Sequence, residues 1–278
     1  MLSNERIYNF SAGPSMLPLP VLQQAQQELL NCNRSGMSVM EMSHRSSSFD
    51  SIFQETKGRL RRVLNVPESH EILFLQGGAT TQFSMVPLNL MGETGRADYA
   101  LTGNFSTKAY EEAQKFGACT VAASSADENH TYIPQQEALQ LDPGAAYFHY
   151  CANNTIFGTE WQYVPDTGAV PLVCDMSSNI LSKPIDVGRY GLIYAGAQKN
   201  MAPAGDHPPR PGRPRPEKHP RDAGLCRPRQ GRLHVQHAPL LVHLYSGPGA
   251  AMAGIPGRIG RNGENQHRKG RHPVSLSG

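Results

Sequence analysis

From about residue 20 to residue 205 this chain alternates short, continuously apolar runs with stretches of helical period, and then the alternation stops. The apolar runs are Ile72–Leu75, Asp98–Leu101, Cys119–Ala122, Ala146–Tyr150, Leu172–Cys174 and Leu192–Ala195. Between them lie helical patterns: Val21–Leu30 after Pro18 and Pro20, Phe49–Val63 with Ile52, Phe53, Leu60 and Val63 on one side, a stretch from Gly77-Gly78 through Leu90, and Ser106–Phe116. Strands that alternate with helices are joined by crossovers, which makes the sheet mostly parallel. Runs without polar alternation fit strands covered on both faces. The pattern predicts an α/β fold with a mostly parallel sheet over residues 1–205.

The break after Gly205 is one of composition as well as period. The stretch DHPPRPGRPRPEKHPRDAG is interrupted by proline at short intervals, which removes backbone donors and fixes φ, so no regular element is expected there. Residues 206–278 hold 13 Lys and Arg against 4 Asp and Glu, a formal charge of +9, whereas residues 1–205 hold 13 against 19. Residues 206–278 therefore read as a disordered Pro/Arg/His-rich tail. Such charge attracts nucleic acid non-specifically. With Tyr245 as the tail's one aromatic, stacking on bases is not expected, and neither is a nucleic-acid partner. Five cysteines without a CxxC or Cys/His spacing read as free thiols in a reducing compartment, with no metal site. The polar start MLSNERIYNF is unlike a secretory signal, and no run of 18 apolar residues exists to span a membrane. A cytoplasmic protein is expected.

Four places carry chemistry. In LIYAGAQKNMAPAG, Lys199 follows a strand end among small residues that let a flat cofactor approach the backbone. A lysine that attacks a carbonyl must be partly neutral, through desolvation or nearby charge; taken alone, a turn lysine is more often simply exposed. In CDMSSNILSKPID, Asp175 ends an apolar run, where open α/β sheets bind ligands. A carboxylate there suits the ring nitrogen of pyridoxal phosphate (PLP), although a turn or cap Asp is the plain alternative. In ILFLQGGATTQF, Gly77-Gly78 between strand and helix offers backbone N–H groups to a phosphate, with Ala79, Thr80 and Gln82 in the first turn. In TGNFSTKAY, Phe105 lies just past a strand end, where it can stack on a ring or simply fill core.

Six ordered segments now carry a resemblance: YNFSAGPSMLP, MEMSHRS, FLQGGATTQFSMVPLNL, HYCANNTIFGT, DMSSNILSKPIDV and IYAGAQKN. Together, from about residue 7 to Gly205, they resemble the phosphoserine aminotransferase family of class V PLP-dependent enzymes. The resemblance implies the large domain of the fold type I PLP transferases, with PLP as cofactor. It places the Schiff-base lysine on Lys199, the preceding phosphate-side glutamine on Gln198, the ring-nitrogen carboxylate on Asp175 and a cofactor-contacting threonine on Thr155. The phosphate-side pair falls on Ala79 and Thr80, where many members carry an arginine in place of Thr80. The ring-stacking residue, usually tryptophan, is Phe105. The His-Arg pair that binds the distal anionic end of the substrate falls on His44 and Arg45, a guanidinium fork suited to carboxylate or phosphate. The implied reaction moves an amino group between glutamate and 3-phosphohydroxypyruvate in serine biosynthesis, with related intermediates of pyridoxine biosynthesis as further substrates. The implied assembly is a homodimer with shared sites. Another class V enzyme, such as a cysteine desulfurase or an alanine–glyoxylate-type aminotransferase, is the rival within the fold, which amine-donor profiling would separate.

After Gly205 the family continues with an apolar strand and a small C-terminal domain, which this chain lacks or carries scrambled. DHPPRPG (206–212) admits codons that spell TTLLVLV one base forward, and the segment from His234 shifts in the same direction to a family-like stretch. A frameshift just after Gly205 is the reading this suggests. The lost part would supply the arginine for the substrate α-carboxylate and an Asn-Thr pair that reaches across the dimer to the cofactor phosphate. On this reading the polypeptide as written is expected to be poorly soluble, with apolar surface left uncovered, and inactive, a non-functional product.

Overall fold

The computed structural model describes residues 6–203 and, as backbone, 241–246. Its elements in chain order are α1 (Leu19–Glu28), α2 (Ser47–Val63), β1 (His70–Leu75), α3 (Gly78–Leu90), β2 (Arg96–Leu101), α4 (Asn104–Ala113), β3 (Ala118–Ser124), β4 (Phe148–Cys151), β5 (Asn153–Asn154), β6 (Thr159–Glu160), β7 (Leu172–Asp175), β8 (Leu192–Gly196) and β9 (Leu241–Ser246). Every apolar run and helical stretch named above coincides with one of these, within a few residues at the ends. Local chemistry sets the starts. Proline opens α1, and the Ser46 hydroxyl accepts the Phe49 N–H at 3.2 Å to cap α2. Asp50 in the first turn of α2 and Arg61 and Arg62 in its last turn match the helix dipole.

The main sheet has the order β1-β9-β8-β7-β4-β2-β3. Strands β8, β7, β4, β2 and β3 run parallel, and β9 is antiparallel to both its neighbours. Side chains alternate between two apolar layers. One holds Phe148, Tyr150, Cys174, Ile193 and Ala195 against Leu60 of α2, Trp161 and Ile180. The other holds Tyr99, Tyr147, Val173, Leu192 and Tyr194 against Phe83 and Val86 of α3 and Ala109 and Ala113 of α4. Burial on both faces explains why these strands read as unbroken apolar runs.

Three features differ from the sequence expectation. The tail is not wholly irregular: Leu241–Ser246, a proline-free stretch, pairs with β1 and β8. It supplies hydrogen bonds that the facing edges of those two strands need. Residues 204–240 and 247–278, which include the rest of the tail, lie outside the described residues. Second, β5 and β6 form a hairpin of two-residue strands, too short to leave a period. Third, the connection from β7 to β8 contains a 3-10 turn at Val187–Arg189 and no α-helix. Helix α1 buries none of its residues, and Ile7, Phe10 and Leu30 are each more than four-fifths exposed. Among the described residues no helix is long and apolar enough to cross a membrane, and no group of three His, Cys, Asp or Glu is placed to hold a metal ion.

One buried histidine gives the fold a pH dependence. His149 of β4 is 1% exposed, stacked on Tyr99 with 4.9 Å between ring centroids, and burial pushes its imidazole down to about 3. In the unfolded chain it titrates near 6.5, so below that pH the unfolded state binds a proton that the native state does not, and stability falls as pH drops towards 3. At about 1.4 kcal/mol per pH unit, His149 alone removes about 2 kcal/mol between pH 7 and pH 5. Urea unfolding at the two pH values checks this; with His149→Gln the His149 share of the loss should vanish.

Candidate active site

The strands β4, β7 and β8 end together at Cys151, Asp175 and Gly196, opposite the starts of α3 and α4. A cavity of about 160 Å3 opens there, in the crevice where parallel α/β sheets hold ligands. Its floor is set by register: Cys151 pairs with Asp175, and Asp175 with Tyr194, in one row across three strands.

Asp175 is buried, with 7% exposure. Its Oδ1 accepts the Ser177 N–H at 2.8 Å, and the Cys151 thiol lies 3.9 Å from Oδ2. Burial raises the Asp175 carboxyl above the ordinary carboxylate range, opposed by hydrogen bonds from Ser177 and by the Lys199 charge. Lys199, half-buried in the turn after β8, donates from Nζ to Thr155 Oγ1 at 2.6 Å. The same nitrogen stands 4.8 Å from the centre of the Phe105 ring. Burial lowers the Lys199 ammonium below its usual range, with Asp175 and then Cys151 pulling the other way. A lysine partly shifted towards its neutral form beside a buried carboxylate is suited to carbonyl attack.

Two glycines shape this region. Gly77 has φ of +95°, and a Cβ there would lie 2.3 Å from Thr81 Oγ1. It lets the chain turn into α3, which starts without a side-chain cap, so first-turn N–H groups are left for an anion. Gly13, in the N-terminal segment, packs against the turn that carries Lys199: a Cβ would lie 2.8 Å from Lys199 Cγ and 3.2 Å from Lys199 Cα. Beside it the Ser15 hydroxyl donates to the Lys199 carbonyl at 2.9 Å. Gly13→Ala must displace the Lys199 stem or the segment itself. It is expected to weaken cofactor binding at least ~10-fold, since small misplacements at such sites are costly. Cofactor titration of the variant checks this, and native affinity would show that the contact yields freely.

Ala79, Thr80, Phe105, Thr155, Asp175, Gln198 and Lys199 all line this one cavity. Phe105 sits in the first turn of α4 rather than in a loop. His44 and Arg45 are not brought to it: both are exposed, on the loop before α2. The sequence reading missed Cys151, Asn153, Ser177 and Ser178, which also line the cavity. Cys151 ends an apolar strand as Asp175 does, and that position was its signal. The other three are ordinary loop residues without one. The carboxylate on the floor, the amine on the wall, a ring-sized aromatic and an uncapped helix start together fit a phosphorylated pyridine aldehyde.

The Aminotransferase class-V family matches residues 7–205. The phosphoserine aminotransferase of Geobacillus kaustophilus (strain HTA426) is 58% identical over 201 residues, 72% of this chain and 56% of its own length. That of Bacillus cereus (strain ATCC 14579) is 57% identical over the same span. Among solved structures, the phosphoserine aminotransferase from Bacillus circulans subsp. alkalophilus superposes with a TM-score of 0.72 at 39% identity, over 87% of this chain and 57% of that one. The PLP-bound phosphoserine aminotransferase from Trichomonas vaginalis gives 0.70 at 38%, over 87% and 62%. The chain thus spans little more than half the length of the curated relatives it matches.

Proposed function

Because the chain belongs to the class-V aminotransferase family, we propose that residues 7–205 form the PLP-holding part of an enzyme that moves an amino group between glutamate and 3-phosphohydroxypyruvate. The observation that carries this is the meeting of Lys199 Nζ, Thr155 and the buried Asp175 in one cavity at the strand ends. When bound, PLP supplies an electron sink for the charge that develops at the substrate Cα. Asp175 would hold the ring nitrogen in its protonated form, and Phe105 would pack against the ring. The start of α3, with Ala79 and Thr80, and Gln198 would take the phosphate. Lys199 would anchor the cofactor carbonyl, and its amine would move the proton at the substrate Cα. Thr155 orients the Lys199 amine.

His44 and Arg45 take the distal anion of the substrate. Their exposure away from the cavity favours service to the site of a partner copy, in a cytoplasmic homodimer. Pyridoxine-pathway phospho-hydroxy acids are related substrates. Residues 206–278 are a non-family tail, so turnover needs groups that the relatives carry beyond this match. DNA sequence across codons 200–215 tests the frame: a stop within a few codons of the shifted frame sinks it.

The biochemical test uses the full chain with PLP, trapped by borohydride and mapped by mass spectrometry. A pyridoxyl adduct on Lys199 is expected, with no phosphoserine formed from 3-phosphohydroxypyruvate and glutamate. Grafting the C-terminal part of the Geobacillus relative after Gly205 should restore phosphoserine formation. No adduct, or a graft that uses other keto acids in preference, overturns the reading.

A further inference from the structure

Behind the cavity floor lies a buried polar chain that the reaction as described does not use. Tyr194 is the cross-strand neighbour of Asp175, and both sit on the face covered by α3 and α4. Tyr194 is among the groups that pull the Asp175 carboxyl down, after Ser177 and the Lys199 charge. The Tyr194 hydroxyl is 2.9 Å from His149 Nε2, and His149 lies stacked between Tyr99 and Tyr194. The edge of Phe83 closes over Tyr194 with 6.5 Å between centroids. Exposure of all three of Tyr99, His149 and Tyr194 is 1% or less.

The protons in this chain can be placed by elimination. When Asp175 is ionised it has no proton to give, so in that state the Tyr194 O–H is the donor to it. The Tyr194 oxygen then accepts from His149, which must carry its single proton on Nε2. That leaves Nδ1 as the bare nitrogen, and Nδ1 is the buried His149 atom without a hydrogen-bond partner among the described residues. The assignment is self-consistent, because a buried unpaired acceptor is tolerated better than a buried unpaired N–H. A protonated His149 would instead strand a donor.

We propose that Tyr194, oriented by neutral His149, is the positioning residue for Asp175: the chain His149 Nε2–H to Tyr194 O–H to carboxylate aims that carboxylate at the cofactor ring nitrogen and holds it ionised. The proposal rests on the cofactor reading above only for the last group in the chain. The other groups facing Asp175 are Ser177, Cys151 and Lys199, and those facing His149 are the rings of Tyr99 and Tyr194. Cys151 is a poor substitute for Tyr194, since its thiol stands 3.9 Å away and burial drives it well above its usual range.

The test uses the full chain and two measurements. Without cofactor, the 13C resonance of the Asp175 carboxyl, assigned with Asp175→Asn, is followed against pH. Tyr194→Phe removes a donor to the ionised form and should move the midpoint up. His149→Leu should move it the same way by less, while His149→Gln, whose amide N–H replaces Nε2–H, should leave it near native. With ring-15N-labelled PLP, Tyr194→Phe and His149→Leu should shift the ring-nitrogen resonance towards neutral pyridine, and Tyr194→Phe should weaken binding about tenfold. An unmoved midpoint in Tyr194→Phe overturns the proposal, and so does His149→Gln behaving like His149→Leu. If Tyr194→Phe fails to fold by near-ultraviolet circular dichroism, the two His149 variants decide. A native chain that never binds PLP would end the cofactor reading, while the carboxyl titration would still decide the hydrogen-bonded chain.

Discussion

Lys199→Ala is expected to abolish covalent capture of PLP, leaving no borohydride-stable adduct anywhere on the chain. The reason is placement. Lys199 Nζ is within hydrogen-bond reach of Thr155 and above Phe105, inside the cavity that Asp175 floors. Among the described residues the other amine over Phe105 is Lys108, whose Nζ is 5.9 Å from the ring centre and which does not line the cavity. Lys108→Ala is therefore the control and should keep the adduct. In the grafted, active form, Lys199→Ala should lower amino transfer by ~1,000-fold or more, because a positioned proton-transfer group alone contributes on the order of 10²–10⁴. An adduct that persists in Lys199→Ala and is lost in Lys108→Ala would reassign the anchor.

Asp175→Asn should move two quantities in opposite senses. A charge-assisted hydrogen bond contributes about 1.5–3 kcal/mol, so its loss to the ring nitrogen should weaken PLP binding by roughly 10- to 100-fold. The unloaded chain should instead become more stable. Burial raises the Asp175 carboxyl above its unfolded value near 3.9, so above that pH the native state binds more protons than the unfolded state. Stability contributed by Asp175 is therefore full below about pH 4 and is lost as pH rises through the folded pKa. The asparagine, never ionised, escapes that loss. Thermal unfolding of unloaded native chain and variant at pH 4 and pH 7, with cofactor titration at pH 7, reads both effects. A variant with lower thermal stability at pH 7 and unchanged affinity would make Asp175 a purely structural residue.

Much of this was legible in the sequence because its signals are local. Apolar runs such as Leu192–Ala195 and helical stretches such as Phe49–Val63 became β8 and α2, since period and capping depend on neighbours a few residues away. Lys199 and Asp175 stood out as the right residue types at strand ends. The hairpin β5–β6 was not legible, because strands of two residues carry no period. Nor was the Gly13 contact with Lys199, which joins segments far apart in sequence.

By itself the sequence determined the longer strand and helix segments before Gly205, the family, seven of the residues that line the cavity and the abrupt change of composition after Gly205. Only the tertiary structure decided what those residues stand next to. Register, which is a relation between strands, put Cys151, Asp175 and Tyr194 in one row and slipped His149 behind them. Packing left His44 and Arg45 outside the cavity that their family role had suggested. Backbone pairing drew Leu241–Ser246 out of an otherwise unpatterned tail to stand between β1 and β8, because strand edges left without partners in a buried sheet are costly whatever sequence fills the gap.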